Sequence, residues 1–194
     1  MPLQNRVTPL GELVAHPARG FVYGNRGCLH DDAGRIRRHH DGKRWIACRL
    51  EFKGRRRNLL QPGRYTELFF LDEATAFAAG HRPCAECRRA DYLRVLELTG
   101  AQRADELDAR LHNERLGPKT TAEVETLPEG AFVLHDEQPH VVVPGGLRPW
   151  SPGGYGPPAA ATGLHTVLTP QMLVGVLACG WSGAVPLLHP SVHD

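Results

Sequence analysis

The segment His81-Arg82-Pro83-Cys84-Ala85-Glu86-Cys87 constrains the fold of this 194-residue chain more than any other feature. Two cysteines three positions apart, at a turn that leads into a helix, can hold one tetrahedral cation with their thiolates. The unpaired N–H groups of the helix N-terminus favour the negative charge of those thiolates. A thioredoxin-like redox pair is the alternative, but no βαβ pattern precedes the motif. We therefore expect a zinc site that includes Cys84 and Cys87.

A zinc site of this kind needs two further ligands. Cys28 and Cys48 lie upstream in short segments bounded by turns, and His30 and His81 are alternatives to them. The remaining cysteine, Cys179, ends an apolar helical segment, so we expect it to be buried and inert.

The composition is that of a soluble globular protein. Hydrophobic residues make up 41% of the chain and charged residues 23%, which excludes disorder throughout. The longest apolar stretches, such as Met172–Cys179, are too short to span a membrane. Met1–Gly20 has no apolar signal segment, and the five cysteines are an odd number. These features predict a cytoplasmic protein without a disulfide framework.

The charge is distributed unevenly along the chain. Residues 19–64 contain 13 Lys/Arg and 4 Asp/Glu, a net charge of +9, whereas the other residues carry a net charge of −7. Cationic segments bind phosphates because neutralising a phosphate releases condensed counterions. We therefore predict that this segment binds nucleic acid, with DNA as the expected partner, rather than forming only a solvated surface. The basic side chains predicted to make the contacts are Arg35, Arg37, Arg38, Lys43, Arg44, Arg55, Arg56 and Arg57.

Local patterns predict an α+β fold, because helices and strands mix without a βαβ rhythm. The expected helices, each with a glycine just beyond its C-terminus, are residues 73–79, 87–98, 102–116 and 171–179. The expected strands are residues 44–52, 65–71, 131–135, 140–143, 147–150, 164–168 and 184–188. Met1–Arg19 is expected to be an irregular lead-in. A zinc-binding region at 1–120 is followed by a strand-rich region at 121–194, which either completes one domain or forms a second.

Residues 70–87 resemble a known module. Their sequence is Phe-Leu-Asp-Glu-Ala-Thr-Ala-Phe-Ala-Ala-Gly-His-Arg-Pro-Cys-Ala-Glu-Cys. It is similar to the zinc-binding module of the Ada DNA-repair protein family, which has a phenylalanine, Glu-Ala, Ala-Ala-Gly, an aromatic residue and Arg-Pro-Cys-x-x-Cys. The resemblance extends over about residues 65–90, and the combined helix and motif are more specific than Cys-x-x-Cys alone.

The resemblance implies a zinc ion held by four cysteines beside a basic surface that contacts the DNA backbone, in a protein of DNA damage repair. Cys84 and Cys87 match the downstream ligand pair of the family. The upstream Cys-x-x-x-Cys is absent, and this chain offers Cys48 and, 20 residues earlier, Cys28. In the repair protein one thiolate of the upstream pair accepts a methyl group from a phosphotriester. Cys48 or Cys28 is the corresponding candidate here.

Two other function classes remain open. His39-His40-Asp41 precede the segment with Cys48, and a histidine that activates water would make the protein a metal-dependent hydrolase such as a nuclease. Adjacent histidines in an Arg-rich stretch are more often an exposed loop. The acidic second half keeps a zinc-stabilised module that binds a protein partner as a further alternative.

Four aromatic residues are candidates for stacking on bases, although packing in the core is the more frequent role of such rings. They are Trp45, Tyr65, Trp150 and Tyr155. His112 lies one helical turn after Asp108, and we interpret the two as an exposed polar pair.

Overall fold

The computed structural model describes residues 1–54 and 58–194, and its α+β fold confirms the predicted class. The α-helices within these residues are α1 (Glu73–Ala78), α2 (Arg89–Thr99), α3 (Ala104–Leu116) and α4 (Gln171–Ala178). Short 3-10 helices cover Val124–Thr126 and Pro190–His193. No helix in the described part of the chain has the length and apolar character needed to cross a membrane.

The first half of the chain builds a mixed sheet. Its strands are β1 (Gln4–Val7), β2 (Leu13–Ala15), β3 (Val22–Asn25), β4 (Ile46–Cys48), β5 (Leu68–Phe70) and β6 (Arg82–Pro83). They lie in the order β2-β1-β5-β3-β4-β6, with β1–β5 and β4–β6 parallel and the other pairs antiparallel. The β4–β6 pairing brings Cys48 close to the segment that carries Cys84.

The second half builds an antiparallel sheet. Its strands are β7 (Thr121–Glu123), β8 (Phe132–His135), β9 (Gln138–Val143), β10 (Gly146–Ser151), β11 (Gly154–Tyr155) and β12 (Leu164–Val167). The order is β11-β10-β9-β8-β12-β7. The turn between β8 and β9 places Asp136 and Glu137 at positive φ, as a tight hairpin requires.

Helix α1 packs against both sheets. Its six residues are all buried, and three of them are alanines, which allow a close approach of neighbouring backbones. Ala76 contributes to the core of the first sheet, whereas Ala74 and Ala78 contribute to a cluster with residues of the second sheet. Phe77 packs in a third cluster, which also contains side chains of α2, α3 and α4. The two halves of the chain therefore share buried apolar surface around this helix.

Asp72 holds the start of α1 and the end of the chain in place. Its carboxylate accepts hydrogen bonds from the amide and the hydroxyl of Thr75 (2.9 and 2.7 Å), as an N-cap does. The other oxygen accepts from the Tyr155 hydroxyl (2.6 Å) and the His189 amide (2.9 Å). One buried carboxylate thus caps the helix and ties it to residues more than 80 positions away in sequence.

Three local predictions are wrong. The expected lead-in at Met1–Arg19 contains β1 and β2, which pair with each other, while β1 also pairs with β5. Residues 184–188 form no strand, although the carbonyls of Pro186 and Leu187 accept from the first amides of α1. Cys179 is exposed rather than buried, because it caps α4 beyond the buried face of that helix.

Candidate metal centre

Three cysteine sulfur atoms converge at one edge of the first sheet. The Sγ atoms of Cys48, Cys84 and Cys87 all lie within 4.8 Å of one another. Cys48 and Cys84 are buried, and Cys87 is half-buried. Thiolates bound to one tetrahedral zinc ion at about 2.3 Å lie about 3.8 Å apart, so a small adjustment would let all three bind a single cation. The group is a candidate metal centre with three protein ligands.

Backbone hydrogen bonds set the positions of these sulfur atoms. The amide of Cys84 donates to the carbonyl of Ala47 (2.9 Å), which places Cys84 beside the end of β4. Residues 85–88 then form a turn before α2, and the amide of Glu86 donates to Sγ of Cys84 (3.4 Å). Pro83 ends β6 with its φ fixed by the ring. One turn therefore supplies two ligands, and the neighbouring strand supplies the third.

The three sulfur atoms shift one another's pKa values. The neighbouring Cys48 and Cys87 side chains lower the pKa of Cys84 below its ordinary value. The neighbouring Cys84 and Cys87 side chains raise the pKa of Cys48, with Cys84 having the larger effect, and burial raises it further. A cation would displace the protons of these thiols, because metal binding requires deprotonated sulfur.

Cys28, predicted as the fourth ligand, lies elsewhere. It is half-buried in the loop after β3, and its Sγ lies 3.7 Å from the carbonyl oxygen of His30. Across the described residues it does not belong to the sulfur group. The structure therefore brings together three of the four predicted ligands.

The two alternative histidine ligands also have other contacts. The ring nitrogens of His30 contact the hydroxyl of Thr66 (2.6 Å) and the carbonyl of Gln61 (3.2 Å). The ring of His81 packs against Phe70, with ring centroids 4.6 Å apart. Neither imidazole joins the sulfur group among the residues described. Among the described residues the group therefore consists of the three sulfur ligands alone.

A pocket of about 300 Å³ opens beside the three cysteines. All three line it, together with Arg49 and Glu86. Aromatic side chains form much of the remaining wall: Tyr23, Phe52, Tyr65 and Phe69. A bound metal ion would therefore have one side facing a pocket large enough for a small ligand.

The predicted nucleic-acid contacts lie in one loop and its continuation into β4, which we call the basic arc: Arg35, Arg37, Arg38, Lys43 and Arg44. All five residues are exposed. Arg35 and Arg37 form ion pairs with Asp31 (3.1 and 2.8 Å), and Arg38 pairs with Asp41 (3.3 Å). The other predicted contacts, Arg55, Arg56 and Arg57, lie outside the described residues.

A second polar cluster surrounds Trp45, and sequence analysis did not anticipate it. The guanidinium groups of Arg26 and Arg115 lie 4.5 and 4.3 Å from the centroid of the Trp45 ring. Four imidazole rings have centroids between 5.2 and 6.3 Å from that ring: His39, His40, His81 and His112. We call this group the Trp45 cluster.

The Trp45 cluster corrects two interpretations of its histidines. His39 is exposed as expected, but His40 is half-buried and packs against the ring of His112 at 5.1 Å. His112 is half-buried as well and makes no pair with Asp108, which instead accepts two hydrogen bonds from Arg82. The adjacent histidines are visible in the sequence. The rings they pack against include His112, which lies about 70 positions away, so the cluster could not be recognised from the sequence.

The aromatic residues proposed for base stacking are mostly packed in the interior. Trp45 is 2% exposed and Tyr155 is 8% exposed, so neither offers a face to a base. The indole of Trp150 donates to the hydroxyl of Thr75 (3.1 Å). Tyr65 is half-buried and lines the pocket beside the cysteines. Core packing therefore accounts for Trp45 and Tyr155.

Acid should destabilise the protein through His81. This imidazole is fully buried, and burial, followed by the charges of Arg26 and Arg115, lowers its pKa well below 6.5, although the backbone of Ala79 opposes the effect. A histidine with a depressed pKa in the folded state contributes stability above pH 6.5 that is lost as the pH falls. Between pH 6.5 and 5.5 the expected loss is about 1 kcal/mol. Urea unfolding of wild type and His81→Leu at both pH values measures this loss. An equal change in the free energy of unfolding in the two proteins would contradict the prediction.

The established features are three convergent cysteines, an adjoining pocket, an exposed basic arc and a buried cationic cluster. No protein-family model, no curated protein and no solved structure matches this chain.

Proposed function

We propose that the chain is a zinc-binding protein that binds nucleic acid, DNA in particular, through the basic arc. The convergence of the Cys48, Cys84 and Cys87 sulfur atoms carries the proposal. Three thiolates form a soft donor set that suits zinc and disfavours calcium or magnesium, which require oxygen ligands. DNA damage repair is the setting that the likeness of residues 70–87 to the Ada module suggests.

The zinc would be structural in its effect on folding. Its ligands come from β4 and from the turn between β6 and α2, so the ion would join two segments 36 residues apart in sequence. Zinc binding and folding are coupled where the site forms only in the folded chain. The open side of the site faces the aromatic pocket, where water or another small ligand would complete the coordination.

The exposure of the basic arc supports nucleic-acid binding. The ion pairs of Arg35, Arg37 and Arg38 are on the surface, with arginine side chains 56–69% exposed, and such pairs contribute little to stability. Phosphate groups can therefore replace Asp31 and Asp41 as ion-pair partners of these arginines at small cost in free energy. Lys43 and Arg44 lead directly into β4, which ends in Cys48. The metal centre would thus stabilise the strand next to the phosphate contacts.

Binding should weaken steeply with salt. We expect log Kd for a DNA duplex to change linearly with log salt concentration, because each neutralised phosphate releases counterions. Lys43→Ala and Arg44→Ala should each lower the slope by about 1. Fluorescence anisotropy from 50 to 200 mM salt measures the slope. Arg103→Ala, an exposed arginine before α3, is the matched control and should leave it unchanged. No DNA binding near 150 mM salt, or equal slopes in all variants, would contradict the proposal.

A metal-dependent hydrolase is the second candidate, and the open side of the sulfur group favours it. Catalytic zinc sites have three protein ligands and keep one position for water. Glu86 lines the same pocket and is the acidic residue next to Cys87 in sequence. His39 and His40 belong to the Trp45 cluster and do not line this pocket. Cleavage of DNA or RNA by zinc-loaded protein, reduced in Glu86→Gln, would favour this candidate over simple binding.

A further inference from the structure

Arg26 differs from the other fully buried arginines of the described chain in its partners. Arg82 forms a double hydrogen bond with Asp108 (2.9 and 2.9 Å), and Arg88 pairs with Glu73 and Asp91. Arg26 is 0% exposed, yet its hydrogen bond goes to the carbonyl oxygen of Gly11 (2.7 Å) and no carboxylate lies in ion-pair range among the described residues. A buried charge without a counterion is strongly unfavourable.

Arg115 is half-buried and also lies over the Trp45 ring without a carboxylate partner among the described residues. Its guanidinium donates to the carbonyls of Leu111 (3.1 Å) and Lys43 (3.2 Å), and it makes no ion pair within the described residues. Burial lowers the pKa of Arg26 and of Arg115 to about 9, so both remain protonated at neutral pH. Two cations therefore lie over one buried indole, and neither has an ion-pair partner among the described residues.

Polar atoms without partners are concentrated in this cluster. Nine buried side-chain nitrogen or oxygen atoms in the described residues lack a hydrogen bond, and seven belong to the Trp45 cluster. They are Nε and Nη1 of Arg26, Nδ1 of His40, both ring nitrogens of His81, Nδ1 of His112 and Nη2 of Arg115. Such atoms normally have a partner, so their concentration at one place points to a ligand.

We propose that the Trp45 cluster binds a phosphate group through the side chains of Arg26 and Arg115. Guanidinium groups bind phosphate through paired, charge-assisted hydrogen bonds, and imidazole N–H groups add further donors. A tetrahedral oxyanion would satisfy several donors at once, which a single chloride ion cannot do. The exposed ring of His39 and the half-buried rings of His40 and His112 connect the cluster to the surface.

The phosphate site is separate from the metal centre and does not depend on the proposed function. Side chains alternate between the two faces of a strand, so Trp45 and Cys48 lie on opposite faces around β4. Ile46 and Cys48 line the pocket beside the cysteines, whereas no member of the Trp45 cluster does. Failure of DNA binding at the basic arc would therefore leave this inference standing.

Thermal unfolding in inorganic phosphate tests the site. The Tm of the full-length protein should rise by about 5 to 10 °C at a phosphate concentration 100 times Kd, compared with sodium chloride at equal ionic strength. Arg26→Met should lose this response and, without phosphate, unfold at or above the wild-type Tm, because it removes an unpaired buried charge. Arg115→Met should weaken phosphate binding at least tenfold, and it decides the question if Arg26→Met does not fold.

Arg94→Met is the matched control, because Arg94 also lies over an indole, that of Trp181 at 5.6 Å. It should keep the wild-type response. Equal effects of phosphate and chloride, or an unchanged response in both Arg26→Met and Arg115→Met, would overturn the inference.

Calorimetry with a nucleoside 5′-monophosphate identifies the source of the phosphate. Tighter binding than inorganic phosphate would indicate a nucleotide, and equal or weaker binding would indicate the free ion. Binding of the unphosphorylated nucleoside with the same affinity as the monophosphate would overturn the site.

Discussion

Replacing Cys84 with serine is expected to abolish metal binding and to lower the free energy of unfolding by at least about 3 kcal/mol. Cys84 is one of the three members of the sulfur group, and both other Sγ atoms lie within 4.8 Å of its own. Its loss leaves two ligands, too few to hold zinc firmly. The apparent zinc affinity of zinc-finger peptides, about 10–16 kcal/mol, is coupled to folding, so even a fraction of it is a large effect.

Urea unfolding with and without a chelator measures this prediction. Cys179→Ser and Cys28→Ser are the matched controls, because both cysteines lie outside the sulfur group. We expect both controls to keep the wild-type midpoint and its sensitivity to chelator. A Cys84→Ser protein that unfolds at the wild-type midpoint would show that the sulfur group does not support the fold.

Asp108→Asn is expected to destabilise the protein by about 3–5 kcal/mol. The Asp108 carboxylate is the double hydrogen-bond partner of Arg82, and their side chains are 5% and 2% exposed. Removing the charge leaves the guanidinium of Arg82 buried without a counterion, which costs more than the ion pair itself contributes. The pair also fixes β6 against α3, immediately before Cys84, the first cysteine of the turn.

Two further variants separate this cost from a general effect of helix charge. Asp105→Asn removes an exposed carboxylate from the first turn of the same helix and should change stability by no more than about 0.5 kcal/mol. The double variant Arg82→Met/Asp108→Leu replaces the pair by apolar groups and should recover much of the loss. A double variant no more stable than Asp108→Asn would refute the ion-pair explanation.

Local signals predicted the helices well. The side chain of Asp72 caps α1 as its type and position indicate, and Gly100 adopts the left-handed conformation beyond α2. These features depend on a few neighbouring residues, so the sequence pattern alone is sufficient. Helix α2 begins at Arg89 rather than Cys87, because residues 85–88 form the turn that carries Cys87.

Long-range pairing was the part that local patterns could not predict. The strand Gln4–Val7 is short and polar, and it pairs with β2 and also, at Arg6 and Phe69, with β5 more than 60 residues away. Such a strand has no periodic signal of its own, since its neighbours determine its conformation. Residues 184–188 show the opposite error, because their apolar side chains pack in the core without a ladder of hydrogen bonds.

The part of the candidate site that depends on residue spacing could be predicted from the sequence. Cys84 and Cys87 lie in one turn because they are three positions apart. Cys48 lies beside them because β4 and β6 pair in parallel. Cys28 and Cys48 both lie in short segments bounded by turns, so the local sequence does not show that only Cys48 joins the pair. The Trp45 cluster combines residues between positions 26 and 115, so only the folded chain shows it.

The metal content of the purified full-length chain tests the central claim most directly. Native mass spectrometry should find one zinc ion per chain in the wild type and in Cys28→Ser, and none in Cys84→Ser. Cys28→Ser also decides whether three sulfur ligands are sufficient. A wild-type chain that binds no zinc when the ion is supplied, with the thiols of Cys48, Cys84 and Cys87 all reacting freely with a thiol reagent, would contradict the account.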